Sequence, residues 1–285
     1  MTAARLPAFA LILLSAGCAS LKAPLGTPSS VTPDDGVFSV ALARYAQGLL
    51  ADADAAHGPS PVALDAYREA HRLDPDAATP LARCTLGLLH TGRVDEAFAL
   101  LNTHAKRHPR DADAWTSLGH VAEIAGKHRQ AARAFARAVV LRGGPGADGE
   151  PAIAEVRNWF LAAADGRAIR KLRLLAGATN TPSSLTQVPL QWARHFILKE
   201  NTPRRALPLI GILIDWSGSA EEKAAAQTFY GDALFRAGET NAAIRSYWRA
   251  LETVPTHLPA VRRISASYGW RDDTNGVARL TRRIG

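Results

Sequence analysis

Two cysteines, one methionine and 13 phenylalanine and tyrosine residues in total are few for a chain of 285 residues. With only Cys18 and Cys84, neither a disulfide-built scaffold nor a multi-cysteine zinc module can be assembled. Long apolar runs are missing beyond the N-terminus. The best of them, Ala206 to Ile214, contains Pro208 and falls well short of the roughly 20 residues a membrane helix needs. No His-Glu-x-x-His, Gly-x-Ser-x-Gly or Walker phosphate motif occurs. The Gly-rich stretch from Gly143 to Gly149 follows a helical pattern, lacks Lys and reads as a loop. These absences argue against an enzyme, and the sequence nominates no catalytic residue, metal ligand or cofactor. Alanine is what abounds, with 55 residues, about a fifth of the chain. It is the best helix former and a poor strand former, so close-packed helices are expected. At 47% hydrophobic and 21% charged residues the composition is that of a folded globular protein.

The N-terminus carries one basic residue, Arg5, then an apolar run from Leu6 to Gly17, then Cys18. That is the pattern of an export signal, too short to span a bilayer. Leu14-Ser15-Ala16-Gly17-Cys18 resembles the lipobox of bacterial lipoproteins. The resemblance implies a signal peptide over 1–17 and lipidation of Cys18. Ala19 after the Cys resembles the pattern for delivery to the outer membrane, with the folded part in the periplasm. A plain secretory signal that ends in Cys is the alternative. Residues 18–36, with clustered Pro, Ser and Thr, read as the lipidated Cys and a flexible tether.

A fixed period organises the body. Ala63, Ala97 and Ala131 stand 34 residues apart, and Tyr67, Leu101 and Phe135 follow each of them by four. Such a period marks a repeat solenoid. Trp115, Leu118, Gly119, Ala131, Phe135 and Ala138 resemble the signature of the tetratricopeptide repeat. Tyr230, Gly231, Leu234, Ala243, Tyr247, Ala250 and Pro255 do so again. The first unit fits through Leu50, Ala63, Tyr67, Ala70 and Pro75, with Ala51 where glycine is expected. The resemblance implies an all-α, right-handed helical solenoid of antiparallel helix pairs. Three regular units are expected over 37–143 and degenerate helical repeats over 144–219, where Ala168 and Ala206 keep a spacing of 37 or 38. A clear unit follows over 220–258, then a capping helix over 259–285.

In this family the first helices line a concave groove that holds peptides or partner helices. By register, Arg83, Leu86, His90, Thr116, His120, Glu123, Gln191, His195, Asp232 and Phe235 face it. The histidines are read as groove or surface residues, because no spacing forces them to converge on a metal. Cys84 takes an inward position as a small buried residue. Residues 1–156 carry a net charge of −1 and residues 157–285 a net of +9. The basic clusters are Arg167, Arg170, Lys171 and Arg173, then Arg204 with Arg205, and Arg262 with Arg263. They read either as solvated helix faces or as a surface for an acidic protein, an anionic glycan or a lipid head group. Nucleic acid is not expected, because no exposed aromatics accompany the arginines and the chain carries an export signal. The expectation is a lipid-anchored scaffold that binds an envelope protein or peptide. Its rival is a module for an anionic envelope polymer.

Overall fold

The computed structural model describes residues 33–53, 60–144, 149–176, 183–269 and 274–284. These fold into helices alone: α1 (Pro33–Ala53), α2 (Pro61–Leu73), α3 (Ala78–His90), α4 (Val94–Arg107), α5 (Ala112–Ile124), α6 (His128–Leu141), α7 (Gly149–Leu161), α8 (Asp165–Ala176), α9 (Ser183–Leu198), α10 (Pro203–Trp216), α11 (Ala220–Arg236), α12 (Thr240–Thr253), α13 (Leu258–Gly269) and α14 (Thr274–Ile284). Helices pack on their chain neighbours, except that α8 packs on α7 and α10 rather than on α9, giving seven antiparallel pairs among the described residues. Lipidation at Cys18 and most of the tether lie outside those residues. The tether ends earlier than expected, because α1 starts at Pro33, a residue type whose fixed φ suits a first helical turn. The C-terminal segment is a hairpin of α13 and α14, not one capping helix.

The repeat alanines explain the pairing. Ala63, Ala97, Ala131, Ala168, Ala206 and Ala243 have no exposed surface, and each begins the buried stripe of a second helix. Four residues later, Tyr67, Leu101, Phe135, Leu172, Ile210 and Tyr247 are buried too, each contributing about 1.5–3 kcal/mol by leaving water. Three of them fill a hollow left by glycine. A Cβ added at Gly119 would stand 2.8 Å from the Phe135 ring, and at Gly231 it would stand 2.3 Å from Tyr247.

The first pair corrects the expected register. Tyr67 packs on Gly48, where a Cβ would come within 2.4 Å of the ring, so Gly48 and not Ala51 is the crossing residue. The glycine precedes its aromatic by 19 residues here and by 16 in the other two pairs, so the first pair has a longer connection. Leu50, matched to the repeat signature by the shorter register, is 71% exposed.

Turns between the helices of a pair repeat one motif. Gly92, Gly126 and Gly238 adopt φ of 74°, 68° and 80°. Each donates its N–H to the carbonyl three residues back, and the next residue donates to the carbonyl five back. Caps mark several starts. Ser60 Oγ accepts from Ala63 N, Asp111 Oδ1 from Asp113 N and Ala114 N, and Ser219 Oγ from Glu222 N.

Candidate functional site

Several successive first helices touch one another. Arg157 on α7 donates twice to Glu123 on α5, at 2.8 and 2.7 Å. On α7 and α9, Phe160 and Trp192 stack at 4.7 Å. Arg263 on α13 donates to both oxygens of Asp232 on α11, at 2.7 and 3.1 Å. These contacts join α5 to α7 and α7 to α9, and separately α11 to α13; the register residues lie on α3, α5, α9 and α11.

On α3, Arg83 and Leu86 are half-buried and His90 is exposed. On α5, Thr116 and His120 are half-buried. The Thr116 hydroxyl donates to Ala112 O, and the His120 ring meets Phe135 edge-on at 5.0 Å. Glu123 is engaged by Arg157, and Asp232 accepts from Arg263 and from the Tyr247 hydroxyl at 2.9 Å. Burial and the Asp232 carboxylate together push the Tyr247 phenol well above its usual value. Gln191 and His195 on α9 are exposed, and His195 stands 3.1 Å from Glu200 and edge-on to Trp192. Phe235 on α11 is exposed. The register residues thus split. Arg83, Leu86, His90, Thr116 and His120 are exposed or half-buried on α3 and α5, while Glu123 and Asp232 are tied into ion pairs. Arg157 is a first-helix residue that the register reading omitted. Its signal was present, because it follows Glu123 by one 34-residue period.

The basic residues are largely consumed internally. Lys171 pairs with buried Glu155 at 2.7 Å, Arg204 with Glu239 at 3.0 Å, and Arg205 with Asp165 and Glu200 while stacking 4.0 Å over Phe196. Arg167 lies 4.8 Å over Trp159, and Arg263 belongs to Asp232. Arg170, Arg173 and Arg262 are exposed, with no ion pair among the described residues. Five of the eight are thus held by partners on neighbouring helices. Other ion pairs stitch successive helix pairs together, as Arg68–Glu96 does between α2 and α4 and Lys127, just before α6, does with Asp95 on α4.

Among the second helices, an open pocket of about 650 Å³ between α2 and α4 is lined by Arg68, His71, Arg72, Cys84, Glu96, His104 and Arg107, among others. Cys84 is buried, which raises its thiol pKa and makes it a poor nucleophile. His71 and His104 lie 6.4 Å apart, and the Nδ1 atom of each is buried with no partner among the described residues. His104 packs on His108 at 4.4 Å, and His108 reaches Asp76 at 3.0 Å. Burial holds both His71 and His104 below the usual histidine value. Neighbouring histidines, and Arg107 beside His71, reinforce this against weaker pulls from the Pro75 carbonyl and Asp111 on His104, from Asp74 on His71, and from Asp76 on both. Among the described residues no group of three or more His, Cys, Asp or Glu is arranged to hold a metal.

A pH dependence follows with a definite sign. The unfolded histidines take up protons near pH 6.5 and the native ones only at lower pH. Their contribution to stability is complete above about 6.5 and is lost as pH falls through the native values. Hydrogen exchange from pH 7.5 to 5 should show faster opening in α2 and α4 at the acid end. The double change His71→Leu/His104→Leu should flatten that response, since leucine needs no buried hydrogen-bond partner. An unchanged response in the double variant would remove the histidines as its cause.

No protein-family model matches the sequence, and no curated protein is found to be similar to it. Several solved structures are loosely similar in shape, two of those below described as tetratricopeptide-repeat proteins. One from Parabacteroides merdae is 10% identical, with 88% of this chain and 91% of that one covered, at a TM-score of 0.40. YrrB, described as having an unusual peptide-binding site, is 16% identical over 70% of this chain and 97% of its own, at 0.38. PilF of Pseudomonas aeruginosa is 13% identical over 80% and 94%, at 0.37. The assignment of an all-α array of helix pairs rests on this chain's own contacts.

Proposed function

We propose that the protein is a lipid-anchored, periplasm-facing scaffold that captures a partner protein or peptide on its first helices and supports assembly of a cell-envelope machine. Candidate machines are those for secretion, pilus formation, polysaccharide export or outer-membrane assembly. The observation that carries the binding reading is the accessible set of Arg83, Leu86, His90, Thr116 and His120 on α3 and α5. It offers cationic, apolar and hydrogen-bonding groups that are not locked into the array's own ion pairs. Such a mixed lining suits a peptide. The anchor rests on the lipobox resemblance at Cys18. The internal pairing of Lys171, Arg204, Arg205 and Arg263 weighs against the rival reading, in which the basic half binds an anionic polymer.

Two measurements test the two halves separately. Cys18→Ser should move the chain from the membrane to the soluble fraction, and retention at the membrane would end the lipid-anchor reading. A photocrosslinking residue placed in cells at 86, 116 or 120 should yield a discrete adduct that the same residue at 133, on a second helix, does not give. Equal adducts from both faces, or none from the first, would overturn the groove reading.

A further inference from the structure

A repeat array needs a polar outer face at each end, because a terminal helix has no further pair to pack on. The C-terminal end conforms. On α14 the exposed residues among those described are Thr274, Asn275, Ala278, Arg279, Thr281 and Arg282. The N-terminal end does not. Val37, Phe38, Val40, Leu42, Leu49 and Leu50 on α1 are between 37% and 71% exposed. No other helix exposes more than one large apolar side chain among the described residues. Scattered single ones are ordinary, whereas six on one helix make a patch that marks an interaction site.

The charges leave this patch open to an apolar, anionic surface. Between Gly36 and Ala51 the only charged residue is Arg44, which is exposed. Asp34 and Asp35 stand ahead of the apolar stretch, in the first turn. Asp52, at the far end, is turned inward, where it accepts from the Tyr67 hydroxyl at 2.6 Å and from Ser60 N at 3.2 Å. The face of α1 that meets α2 is a separate one, formed by Ala41, Tyr45 and Gly48, with Tyr45 stacked 5.7 Å from Tyr67.

We infer that the outer face of α1 lies on the bilayer interface, among acyl chains and anionic head groups, and so fixes how the array projects from the membrane. The inference rests on the lipid-anchor reading of Cys18. Pro33, where α1 begins, follows Cys18 by 15 residues, so the two are at most about 50 Å apart. The helix with the apolar outer face is thus the first folded element after the anchor. With about 100° between successive helical residues, Phe38, Leu42 and Leu49 fall on one flank of the Ala41–Gly48 line, Val40 on the other and Leu50 opposite it. A second copy of α1 would cover one narrow stripe of that spread, whereas an interface that yields to side chains covers it whole. Arg44 can snorkel to head-group phosphates. No helix among the described residues is long and apolar enough to cross a membrane, so the contact runs along the surface.

The test uses the full chain, purified in detergent and reconstituted on vesicles of phosphatidylethanolamine and phosphatidylglycerol. An environment-sensitive nitrobenzoxadiazole dye is attached through Leu42→Cys, Leu50→Cys or, on α14, Arg279→Cys. Emission at 42 and 50 should shift to the blue. Lipids with a nitroxide on the acyl chain should quench it severalfold more than at 279. Val37→Ser/Phe38→Ser/Val40→Ser should at least halve the quenching at 50 while leaving the helical melting curve in place, since all three residues are exposed. Equal quenching at 42, 50 and 279 would overturn the proposal. So would a blue shift without nitroxide quenching, joined by disulfide-linked dimers of unlabelled Leu42→Cys, which would give the face to a second copy. The mass of the Cys18 peptide from the same preparation separates the two readings. Acylated Cys18 without quenching at 42 and 50 ends the α1 contact alone. Unacylated Cys18 ends the anchor reading, and quenching still decides the α1 contact.

Discussion

Phe135→Ala should lower stability by about 3–5 kcal/mol, the usual cost of emptying a fully buried aromatic site. Gly119→Val approaches the same contact from the other side, because even its Cβ would fall 2.8 Å from the ring, and should cost about 1–3 kcal/mol through overpacking. The two together should cost clearly less than their sum, since the valine occupies space the ring has left. Urea denaturation followed by circular dichroism measures all three. Contacts in such an array are made only between neighbours, so hydrogen exchange should place the damage in α5, α6 and the adjoining α7, with α11 and α12 spared. Strict additivity would mean that Gly119 and Phe135 do not share one packing site. The same experiment at Gly231 and Tyr247 adds a second effect, because the Tyr247 hydroxyl is held by Asp232.

The reason these contacts could be read from sequence is that close helix crossing restricts residue choice severely. Ala63, Ala97, Ala131, Ala168, Ala206 and Ala243 have no exposed surface, and small residues at these positions keep their spacing even where the rest of the signature fades. The repeat fades between α7 and α10 for a local reason. At the turn position taken by Gly92, Gly126 and Gly238, these two pairs place Ala163 and Asn201, with φ of 53° and 51°. The backbone keeps the left-handed turn while the glycine that advertises it is gone, at a cost of about 1–2 kcal/mol for alanine. Pro189 within α9 and Pro208 within α10 mask the helical pattern further. The candidate site was legible only in part. Register predicts which first-helix residues face outward from the hairpin, but not which meet an opposite charge on the next helix. Glu123 and Asp232 were therefore read as available when Arg157 and Arg263 already hold them. Leu50 and Ala51 were misplaced because the longer first connection shifts the register by three residues, which an aligned aromatic at Tyr67 does not reveal.

Lys171 provides the sharpest contrast between a cation that binds and a cation that holds the fold. It lies within Arg167, Arg170, Lys171 and Arg173, a run that reads as a basic surface. Yet it follows Ala168 by three residues and precedes Leu175 by four, which turns it toward the buried stripe of α8. There its Nζ stands 2.7 Å from Glu155 Oε2, with side-chain exposures of 20% and 7%. Removing one partner of such a pair leaves a buried charge unmatched, at roughly 3–5 kcal/mol. The lysine keeps some contact with water, so Lys171→Met should cost about 3 kcal/mol. Replacing both, as Lys171→Met/Glu155→Met, should recover most of that loss or exceed the parent, because two apolar side chains of similar volume need no compensation. Exposed Arg173→Met, two residues away, should leave the unfolding midpoint where it was. A Lys171→Met protein that melts like the parent but loses salt-sensitive binding to an anionic polymer would reverse the assignment, making Lys171 part of a ligand surface and Glu155 a carboxylate the fold tolerates alone.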